Sequence, residues 1–425
     1  MTTDGRKRQR EQVDYRLICD RRPVSEEAEP IRIDETFRLA VMRTFAQYAE
    51  AARSGNGGLS TSLSIRERGL LLFPTRAPLT AEALNSRFRQ LRVVGSGAFG
   101  EVSIVHDNVT GQFLTVKRMF NTLHAGRSGI GVHRTIYREL LLLQSLQHEN
   151  IVPLLDYCVV EDGTVLFFMP TIAHDLHGVK RLWNASGQRP PLAQIKCIVM
   201  QLLKAVAHLH ERGIVHRDIK SNNVLVDRDG RVKLIDFGWS RFLPLSKEDD
   251  LPLTGPPCAV HYRPPEILIG GWSCHHYGTA IDVWCAGLVL HDLCTREKGL
   301  FFGKTDGEVL LHIRRVLGPP PPGMAQAFEW SENHRVDTGR RDRVELLASA
   351  KDSYPLSSEL RQVLIQRGID SCGADLACQM LAWDPRDRAT ARQCLEHRWF
   401  HAYLPKPCEP SELSLPTANA FRRLQ

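Results

Sequence analysis

The sequence lacks the features that would place it in a membrane or outside the cell. No uninterrupted apolar run approaches the roughly 18 residues that cross a bilayer, and no apolar stretch follows the basic N-terminus as a secretory signal requires. The 11 cysteines are odd in number and scattered, without a C-x-x-C pair, which favours free thiols over a disulfide framework or a zinc site. We expect an intracellular protein, in the nucleus, the cytoplasm or both, with no membrane partner.

The sequence also has little excess charge and no internal repeat. Its 43% hydrophobic and 24% charged residues are typical of a globular protein, and 425 residues suffice for one large two-lobed domain with extensions. The net charge of +7 comes from basic residues that are interleaved with acidic ones, so nucleic-acid binding is not indicated. The basic run 6–10 suits either a nuclear-import patch or a solvated tail.

Residues 1–86 mix charge runs with Gly- and Ser-rich stretches, which predicts a weakly ordered N-terminal extension. A candidate helix spans 34–53, with Asp34 as its N-cap. Its apolar face is suited either to packing on the main domain or to binding a partner. The residues of that face are Phe37, Val41, Phe45 and Tyr48.

From Phe88 onward the pattern changes twice. A β-rich region with one helix, over 133–146, comes first, and its strand-like runs are 88–94, 101–105, 112–120, 151–160 and 164–169. A helix-rich region follows, beginning with helical periodicity over 192–212 and a small hairpin over 224–235. A β-rich lobe followed by an α-rich lobe predicts an α+β fold with a ligand cleft between the lobes.

A glycine-rich loop lies between the first two strand-like runs. G-x-G-x-x-G is by itself a weak signal, but the run EVSIV follows it, so no helix begins there as a dinucleotide-binding fold requires. An ordinary Gly-rich hairpin is the alternative to a phosphate-binding loop. The candidate ATP-binding residues of the loop are Val94, Gly95, Ser96, Gly97, Ala98, Phe99, Gly100, Glu101 and Val102.

Lys117 lies in a run that otherwise reads as a buried strand. A buried ammonium is costly unless it is paired, and Glu139 on the following helix is the natural partner. Such a pair would hold the α- and β-phosphates of a nucleotide, whereas an isolated lysine more commonly extends to solvent.

Two segments that each contain one aspartate flank the predicted hairpin. HRDIKSNN precedes it at 216–223, and Asp236-Phe237-Gly238 follows it, so Asn223 and Asp236 would reach one edge of the cleft. Their oxygens suit Mg²⁺, which binds beside phosphates. Asp218 would then face an incoming hydroxyl group.

Taken together, these motifs resemble the eukaryotic protein kinases over about residues 88–402. The resemblance rests on GSGAFGEV, TVK at Lys117, REL at Glu139, HRDIKSNN, DFG, PPE at Glu266 and the D-x-W-x-x-G match at Asp282. It implies a two-lobed kinase fold, with an antiparallel β-sheet N-lobe containing one helix and a mainly α-helical C-lobe. It also implies the domain order 1–86 extension, 87–403 kinase domain and 404–425 tail.

The resemblance assigns roles by matching positions. Asp218 would be the catalytic base and Lys220 would steady the γ-phosphate, while Asn223 and Asp236 would bind Mg²⁺ beside ATP. Arg388, the last residue of DPRDR, would pair with Glu266. The lysine of H-R-D-x-K is similar to that of serine/threonine kinases.

Within the kinases, HYRPPE and the insert-like stretch 300–323 resemble the CMGC group, and the helix around Thr135 resembles that of the cyclin-dependent kinases. The resemblance implies protein substrates, a cyclin-like activating subunit and an upstream kinase that phosphorylates Thr254. A phosphate of nearly two charges needs arginine partners, and the matching positions carry Arg138, Arg217 and Arg241.

Several residues depart from the family pattern. Ala259 stands where relatives place a Thr that braces the catalytic Asp, Thr115 replaces a small Ala, and Ser221 stands where relatives often have Pro. Arg263 is consistent with proline-directed specificity, while the segment 256–258 makes the substrate platform unusual. We therefore expect an active Mg·ATP-dependent serine/threonine kinase; a pseudokinase scaffold is the alternative, and a nucleotide-dependent oxidoreductase is a third.

Overall fold

The computed structural model describes the chain in ten stretches. These are residues 80–97, 100–119, 134–160, 164–172, 174–187, 189–243, 257–270, 277–296, 299–321 and 360–415. The candidate helix over 34–53, Ala98, Phe99 and Thr254 lie outside them. The described residues divide into two compact units, the first with 80–144 and 153–171, and the second with 145–152 and 172–415.

The first unit contains a five-stranded antiparallel sheet in the order β1-β2-β3-β5-β4. Its strands are β1 (Phe88–Gly97), β2 (Gly100–Asp107), β3 (Phe113–Met119), β4 (Asp156–Val159) and β5 (Val165–Pro170). The predicted helix of this region is α2 (Arg134–Ser145). Side chains of one sheet face alternate along each strand and form an apolar core with Leu84, which lies on the helix before β1. Its residues are Leu84, Phe88, Val105, Leu114, Val116, Cys158, Leu166 and Phe168.

A short helix, α1 (Ala81–Arg87), precedes the sheet, inside the segment that we assigned to the weakly ordered extension. The Thr80 hydroxyl accepts a hydrogen bond from the Ala83 N–H and caps the helix, and Leu84 is only 1% exposed. The Arg87 guanidinium donates to both carboxylate oxygens of Asp107, at 3.0 and 2.8 Å. Residues 81–86 therefore belong structurally to the first unit.

The second unit is mainly helical. Its helices are α3 (Leu176–Ala185), α4 (Leu192–Glu211), α5 (Pro265–Gly270), α6 (Ala280–Cys294), α7 (Asp306–Leu317), α8 (Leu360–Gln366), α9 (Ser371–Met380), α10 (Ala391–Leu395) and α11 (Arg398–His401). By length and composition α4 could cross a membrane, but 72% of its apolar window is buried inside the protein, as in a core helix.

Short strands of the second unit carry the candidate catalytic segments. β8 (Val224–Val226) pairs with β9 (Val232–Leu234), which confirms the predicted hairpin, and β6 (His174–Asp175) adds to it. β7 (Ile214–Val215) pairs with β10 (Arg241–Phe242). Asn223 and Ile235 immediately flank the hairpin and are joined by a 3.0 Å hydrogen bond from the Ile235 N–H to the Asn223 carbonyl.

The start of the predicted C-terminal tail is tied to the second unit. The buried ammonium of Lys196 on α4 donates to the carbonyls of Tyr403 and Pro405 at 2.5 and 2.6 Å. It also lies over the Trp399 and Tyr403 rings, at 5.4 and 5.2 Å from their centroids. The Cys408 N–H donates to the Ala193 carbonyl. The tail is therefore packed on α4 over these residues.

Candidate active site

The glycine-rich loop joins two antiparallel strands, as the sequence predicts. Gly97 on β1 pairs with Gly100 on β2, and the described residues that follow the loop form this strand and not a helix. A Cβ atom at Gly100 would collide with the backbone carbonyl of Arg118 on β3, so only glycine permits this approach. Val94 is 57% exposed, which leaves its side chain available to contact a ligand.

Lys117 and Glu139 form the predicted ion pair within the first unit. Lys117 lies on the central strand β3, and its Nζ is 2.6 Å from Oε1 of Glu139 on α2. The Glu139 side chain is 2% exposed, whereas that of Lys117 is 14% exposed. The ammonium therefore has a fixed partner and still reaches the surface of its unit, the arrangement that phosphate binding requires.

Asp218 has two polar partners within its own loop. Its Oδ2 accepts from the Lys220 ammonium at 2.7 Å and from the Asn223 side-chain amide at 2.8 Å. The Asn223 amide also donates to the Asp218 backbone carbonyl at 2.8 Å. The structure thus brings together three of the predicted site residues, with the carboxylate held in one orientation.

Two further residues, Asp282 and His216, position this loop, and the sequence motifs do not predict that role for them. The fully buried carboxylate of Asp282 on α6 accepts from the backbone N–H groups of His216 and Arg217, at 2.8 and 2.9 Å. Burial raises the pKa of Asp282, but hydrogen bonding and charge from His210, with the His216 and Arg217 contacts, outweigh it and leave the pKa lowered. Its position in the D-x-W-x-x-G match was the available sequence signal.

His216 connects the two aspartate-containing segments. Its Nδ1 accepts from the Asp218 N–H at 3.3 Å, and its Nε2 lies 3.0 Å from the Ile235 carbonyl, so the neutral tautomer with a proton on Nε2 satisfies both. Its ring also packs edge-on against Phe237. The residue before Asp236 is thereby fixed relative to Asp218.

The residues expected to bind a metal fit that task chemically. Asn223 and Asp236 offer amide and carboxylate oxygens, the ligands that Mg²⁺ prefers. Because the Asn223 nitrogen is committed to Asp218, its Oδ1 is the remaining acceptor of the side chain. Asp236 has a left-handed backbone with φ 67°, a conformation that non-glycine residues adopt chiefly where the surrounding structure enforces it.

The predicted structural ion pair is present in the second unit. Arg388 donates through both terminal nitrogens to the Glu266 carboxylate, at 2.7 and 2.6 Å. The side chains are 0% and 3% exposed, and the guanidinium lies 4.8 Å from the Trp284 ring centroid. The pair holds α5 to the helical core of the second unit.

The three arginines predicted to bind a phosphothreonine are divided between the units. Arg138 is on α2 of the first unit and is buried. Arg217 and Arg241 belong to the second, where Arg217 stacks over the Tyr277 ring at 5.4 Å and Arg241 pairs with Val215. Burial lowers the pKa of Arg217. Their joint role with Thr254 stays a prediction.

A family model described as a protein kinase domain matches residues 88–400. The chain belongs to the protein kinase family. The two-lobed kinase fold explains the antiparallel sheet of the first unit and the helices of the second. The matched kinase motifs fall on the helices, strands and loops described above.

Curated relatives place this kinase in the CMGC group. It is 32% identical to cell division control protein 2 homolog 3 of Trypanosoma brucei brucei, over 74% of this chain and 92% of that protein. It is 30% identical to mitogen-activated protein kinase mpkC of Aspergillus oryzae, over 77% and 86%. Cyclin-dependent kinase G-2 of Oryza sativa subsp. indica is 31% identical over 79% of this chain, which spans only 44% of that relative's length.

Two departures from the kinase pattern have visible consequences. Ala259 supplies no hydroxyl to brace Asp218, whose carboxylate is held by Lys220 and Asn223. Thr115, in place of a small Ala, lies within 3.4 Å of the Thr171 hydroxyl. Both changes leave Lys117, Asp218 and the two expected Mg²⁺ ligands in the sequence.

Proposed function

We propose that this chain is a Mg·ATP-dependent serine/threonine protein kinase that transfers the γ-phosphate of ATP to protein hydroxyl groups. The observation that carries the proposal is the Asp218 carboxylate, oriented by Lys220 and Asn223. A carboxylate that is fixed in this way can accept the proton of a substrate hydroxyl. The adjacent Lys220 ammonium can stabilise the negative charge of the transferred phosphoryl group.

The remaining residues would position the nucleotide. The backbone of the glycine loop would cover the phosphates, and Lys117, held by Glu139, would bind the α- and β-phosphates. Asn223 and Asp236 would hold Mg²⁺, which neutralises phosphate charge when bound. Catalysis then rests on positioning and electrostatic stabilisation, because phosphoryl transfer passes through a loose transition state.

The test measures phosphate transfer from γ-labelled ATP by the purified full chain in the presence of Mg²⁺. The Asp218→Asn variant is assayed in parallel. We expect the wild type to incorporate labelled phosphate into serine or threonine residues of protein. The transfer rate of the variant should be at least about a hundredfold lower, because asparagine keeps the shape of the side chain but cannot accept a proton as the carboxylate does. A wild type that binds ATP but transfers nothing, even with Thr254 phosphorylated and a cyclin present, would establish the pseudokinase alternative.

A cyclin-like subunit is the activating partner that we propose. Support comes from the names of the relatives, which include cyclin-dependent kinases, and from the resemblance of the helix around Thr135. Adding a panel of purified cyclins to the wild type should raise kcat for at least one of them. If none does so and the basal rate is already that of an activated kinase, the enzyme belongs functionally with partner-independent members of the group.

Phosphorylation of Thr254 by an upstream kinase is the proposed activating modification. It lies twelve residues before Glu266, where cyclin-dependent kinases carry their activating phosphothreonine. Thr254→Ala should depress activity at least about tenfold, whereas Ser246→Ala in the same segment should not. Equal activity of Thr254→Ala and wild type would show that Arg138, Arg217 and Arg241 serve another purpose.

The backbone of the substrate platform supports proline-directed specificity. Cys258 has a left-handed φ of 67°, and its carbonyl, with that of Pro257, accepts from the Arg263 Nε, at 3.1 and 3.3 Å. Because these carbonyls already accept from Arg263, a substrate residue without an N–H is favoured beside them. Proline after the phosphoacceptor has no N–H to satisfy. Paired Ser-Pro and Ser-Ala peptides should differ in kcat/KM by at least about tenfold.

We further propose that residues 87–403 contain the whole catalytic domain, with 1–86 and 404–425 flanking it, and that the protein acts in the nucleus or the cytoplasm. The match over 88–400 supports the catalytic limits. The contacts of Leu84, Lys196 and Cys408 indicate that both flanks contribute packing near these limits. A tagged full chain followed in cells by fractionation tests the location.

A further inference from the structure

Ser221, which stands where relatives often have proline, is joined to two residues far away in the sequence. Its backbone N–H lies 3.4 Å from the Tyr262 hydroxyl, and its own hydroxyl lies 3.2 Å from the same oxygen. The Ser221 hydroxyl also donates to Oδ2 of Asp292 at 3.1 Å. Tyr262 donates to that same carboxylate oxygen at 2.6 Å. We call these three side chains the loop latch.

The hydrogen bonds of the loop latch account for both hydroxyl protons. If both hydroxyls donate to Asp292, each proton is used once, and the Tyr262 oxygen accepts the Ser221 N–H. If Ser221 donates to Tyr262 instead, Tyr262 still donates to Asp292, and the chain of bonds is unbroken. In either arrangement Asp292 is the final acceptor.

The surroundings keep Asp292 ionised and Tyr262 protonated. Burial raises the pKa of Asp292, but His291, Lys180 and the Tyr262 hydroxyl outweigh it and hold the pKa below its usual value. Lys180 Nζ is 3.7 Å from Oδ1, the oxygen that the loop latch does not use. Burial and the Asp292 charge raise the pKa of Tyr262. Hydrogen bonds to a charged acceptor of this kind are stronger than neutral ones.

The loop latch connects three segments of the second unit. Ser221 begins the turn of catalytic-loop residues that ends at Asn223, and Lys220 directly precedes it. Tyr262 lies in the segment that follows the substrate platform, and Asp292 is near the end of α6. The same helix holds the beginning of the loop through Asp282, so α6 fixes the catalytic loop at both ends.

We propose that Ser221 is a positioning residue of the catalytic loop, acting through Tyr262 and Asp292 to hold Lys220 and Asn223 in place for phosphoryl transfer. The proposal rests on the kinase activity proposed above. Proline at this position would offer neither an N–H nor a hydroxyl, and would fix the loop through its ring alone. With serine, the loop is held by Tyr262, so the order of the loop depends on the order of that residue.

The test is a double-mutant cycle of Ser221→Ala, Tyr262→Phe and the double variant. Each single change should lower kcat about tenfold, because small displacements of positioned groups cost catalysis steeply, while KM for ATP stays within about twofold. In the Ser221→Ala background, Tyr262→Phe should lower kcat by less than about twofold, because the link between Ser221 and Tyr262 is already broken. Ser186→Ala, which removes a hydroxyl bond to the Trp183 carbonyl in the same unit, is the matched control and should retain full activity.

Rates are expressed per active site, with the ATP-competent fraction measured by titration, so that a partly unfolded variant is not mistaken for a mispositioned loop. The proposal would be overturned if the two single substitutions lowered kcat independently, so that their factors multiplied in the double variant. A Ser221→Ala variant with the kcat of the wild type would overturn it as well. A wild type without phosphotransfer would overturn the proposed function instead. The four proteins would then still test the loop latch through their thermal midpoints, where additive shifts would contradict a link between Ser221 and Tyr262.

Discussion

Two ion pairs of the same length have different surroundings in the two units. Lys117–Glu139 and Arg388–Glu266 both have a shortest N–O distance of 2.6 Å. The first uses one nitrogen, and its lysine is 14% exposed. The second uses two nitrogens, lies against Trp284 and is almost fully buried. Two pairs of equal length therefore differ in burial and in the number of hydrogen bonds that join them.

The difference lies in what each cation can do when the acid is lost. Arg388 would remain in the interior with an uncompensated charge, since its planar guanidinium cannot deprotonate or reach water. Lys117 could extend its ammonium into solvent on its flexible stem. Burial should make the first pair important for stability, and partial exposure should make the second important for ligand binding.

The largest effect that we expect is the loss of stability in Glu266→Gln. Removing the negative charge leaves Arg388 buried without a counter-charge, which should lower the free energy of unfolding by about 3–5 kcal/mol. Chemical denaturation followed by circular dichroism measures this change. The exposed Arg386, whose side chain is 84% exposed, provides the control Arg386→Gln, which should change the midpoint far less. Similar midpoints for Glu266→Gln and wild type would contradict the structural role of this pair.

Glu139→Gln should produce the opposite pattern. Without the carboxylate, Lys117 is no longer held toward the phosphates, and kcat/KM for ATP should fall about a hundredfold, or about 2.7 kcal/mol of transition-state stabilisation. The free energy of unfolding should change by about 1 kcal/mol or less, since the ammonium can reach water. Steady-state kinetics and denaturation of one preparation measure both quantities. A variant that unfolds early but retains its specific activity would reverse the comparison.

Both pairs were predictable from sequence because each consists of two residues in recognisable motifs. A lysine in a buried strand requires an acid, and Glu139 was the natural candidate. The Arg388–Glu266 pair followed from the resemblance of DPRDR and PPE to the kinases. The β8–β9 hairpin was predictable from two apolar runs around a turn. Strand and helix limits differed by a few residues, and β1 extends to Gly97 instead of ending at 94.

The positioning residues were not predictable in the same way. Asp282 binds backbone N–H groups 65 and 66 residues earlier in the chain, and a backbone donor leaves no mark in the sequence. The Ser221–Asp292 contact spans 71 residues. Helix α1 was missed because its seven residues include one buried side chain, Leu84, which gives no periodicity to detect. Local patterns identified the candidate catalytic groups, whereas the groups that hold them depend on tertiary packing.

A third ion pair, Arg87–Asp107, also joins a partly exposed cation to a buried carboxylate. Burial raises the pKa of Asp107, but the hydrogen bonds of Arg87, the Val109 N–H and the Thr110 hydroxyl, with the charge of Arg87, lower it to about 2. The carboxylate should therefore contribute about 2 kcal/mol above pH 4, and this contribution should be lost as the pH falls from about 4 to 2. Asp107→Asn should be less stable at neutral pH by about that amount.

The pH dependence separates this carboxylate from the others. The difference in unfolding free energy between Asp107→Asn and wild type should shrink as the pH falls from 4 to 2, because the wild type loses its charge there and the variant has none. Thermal midpoints measured across that range give the difference directly. A difference that is constant with pH would mean that Asp107 acts through its shape and hydrogen bonds and not through its charge.

The smallest change in stability should come from substituting Glu149, whose ion pairs are the most exposed of those compared. It lies 3.2 Å from Arg231 and 3.9 Å from Lys204, and the three side chains are 52%, 50% and 45% exposed. Water screens such charges and the long side chains lose freedom when they pair, so Glu149→Gln should cost about 0.5 kcal/mol or less, and less again in high salt. Denaturation at low and high ionic strength measures both values. A cost of about 2 kcal/mol, as for the buried Asp107, would show that burial does not set the strength of ion pairs in this protein.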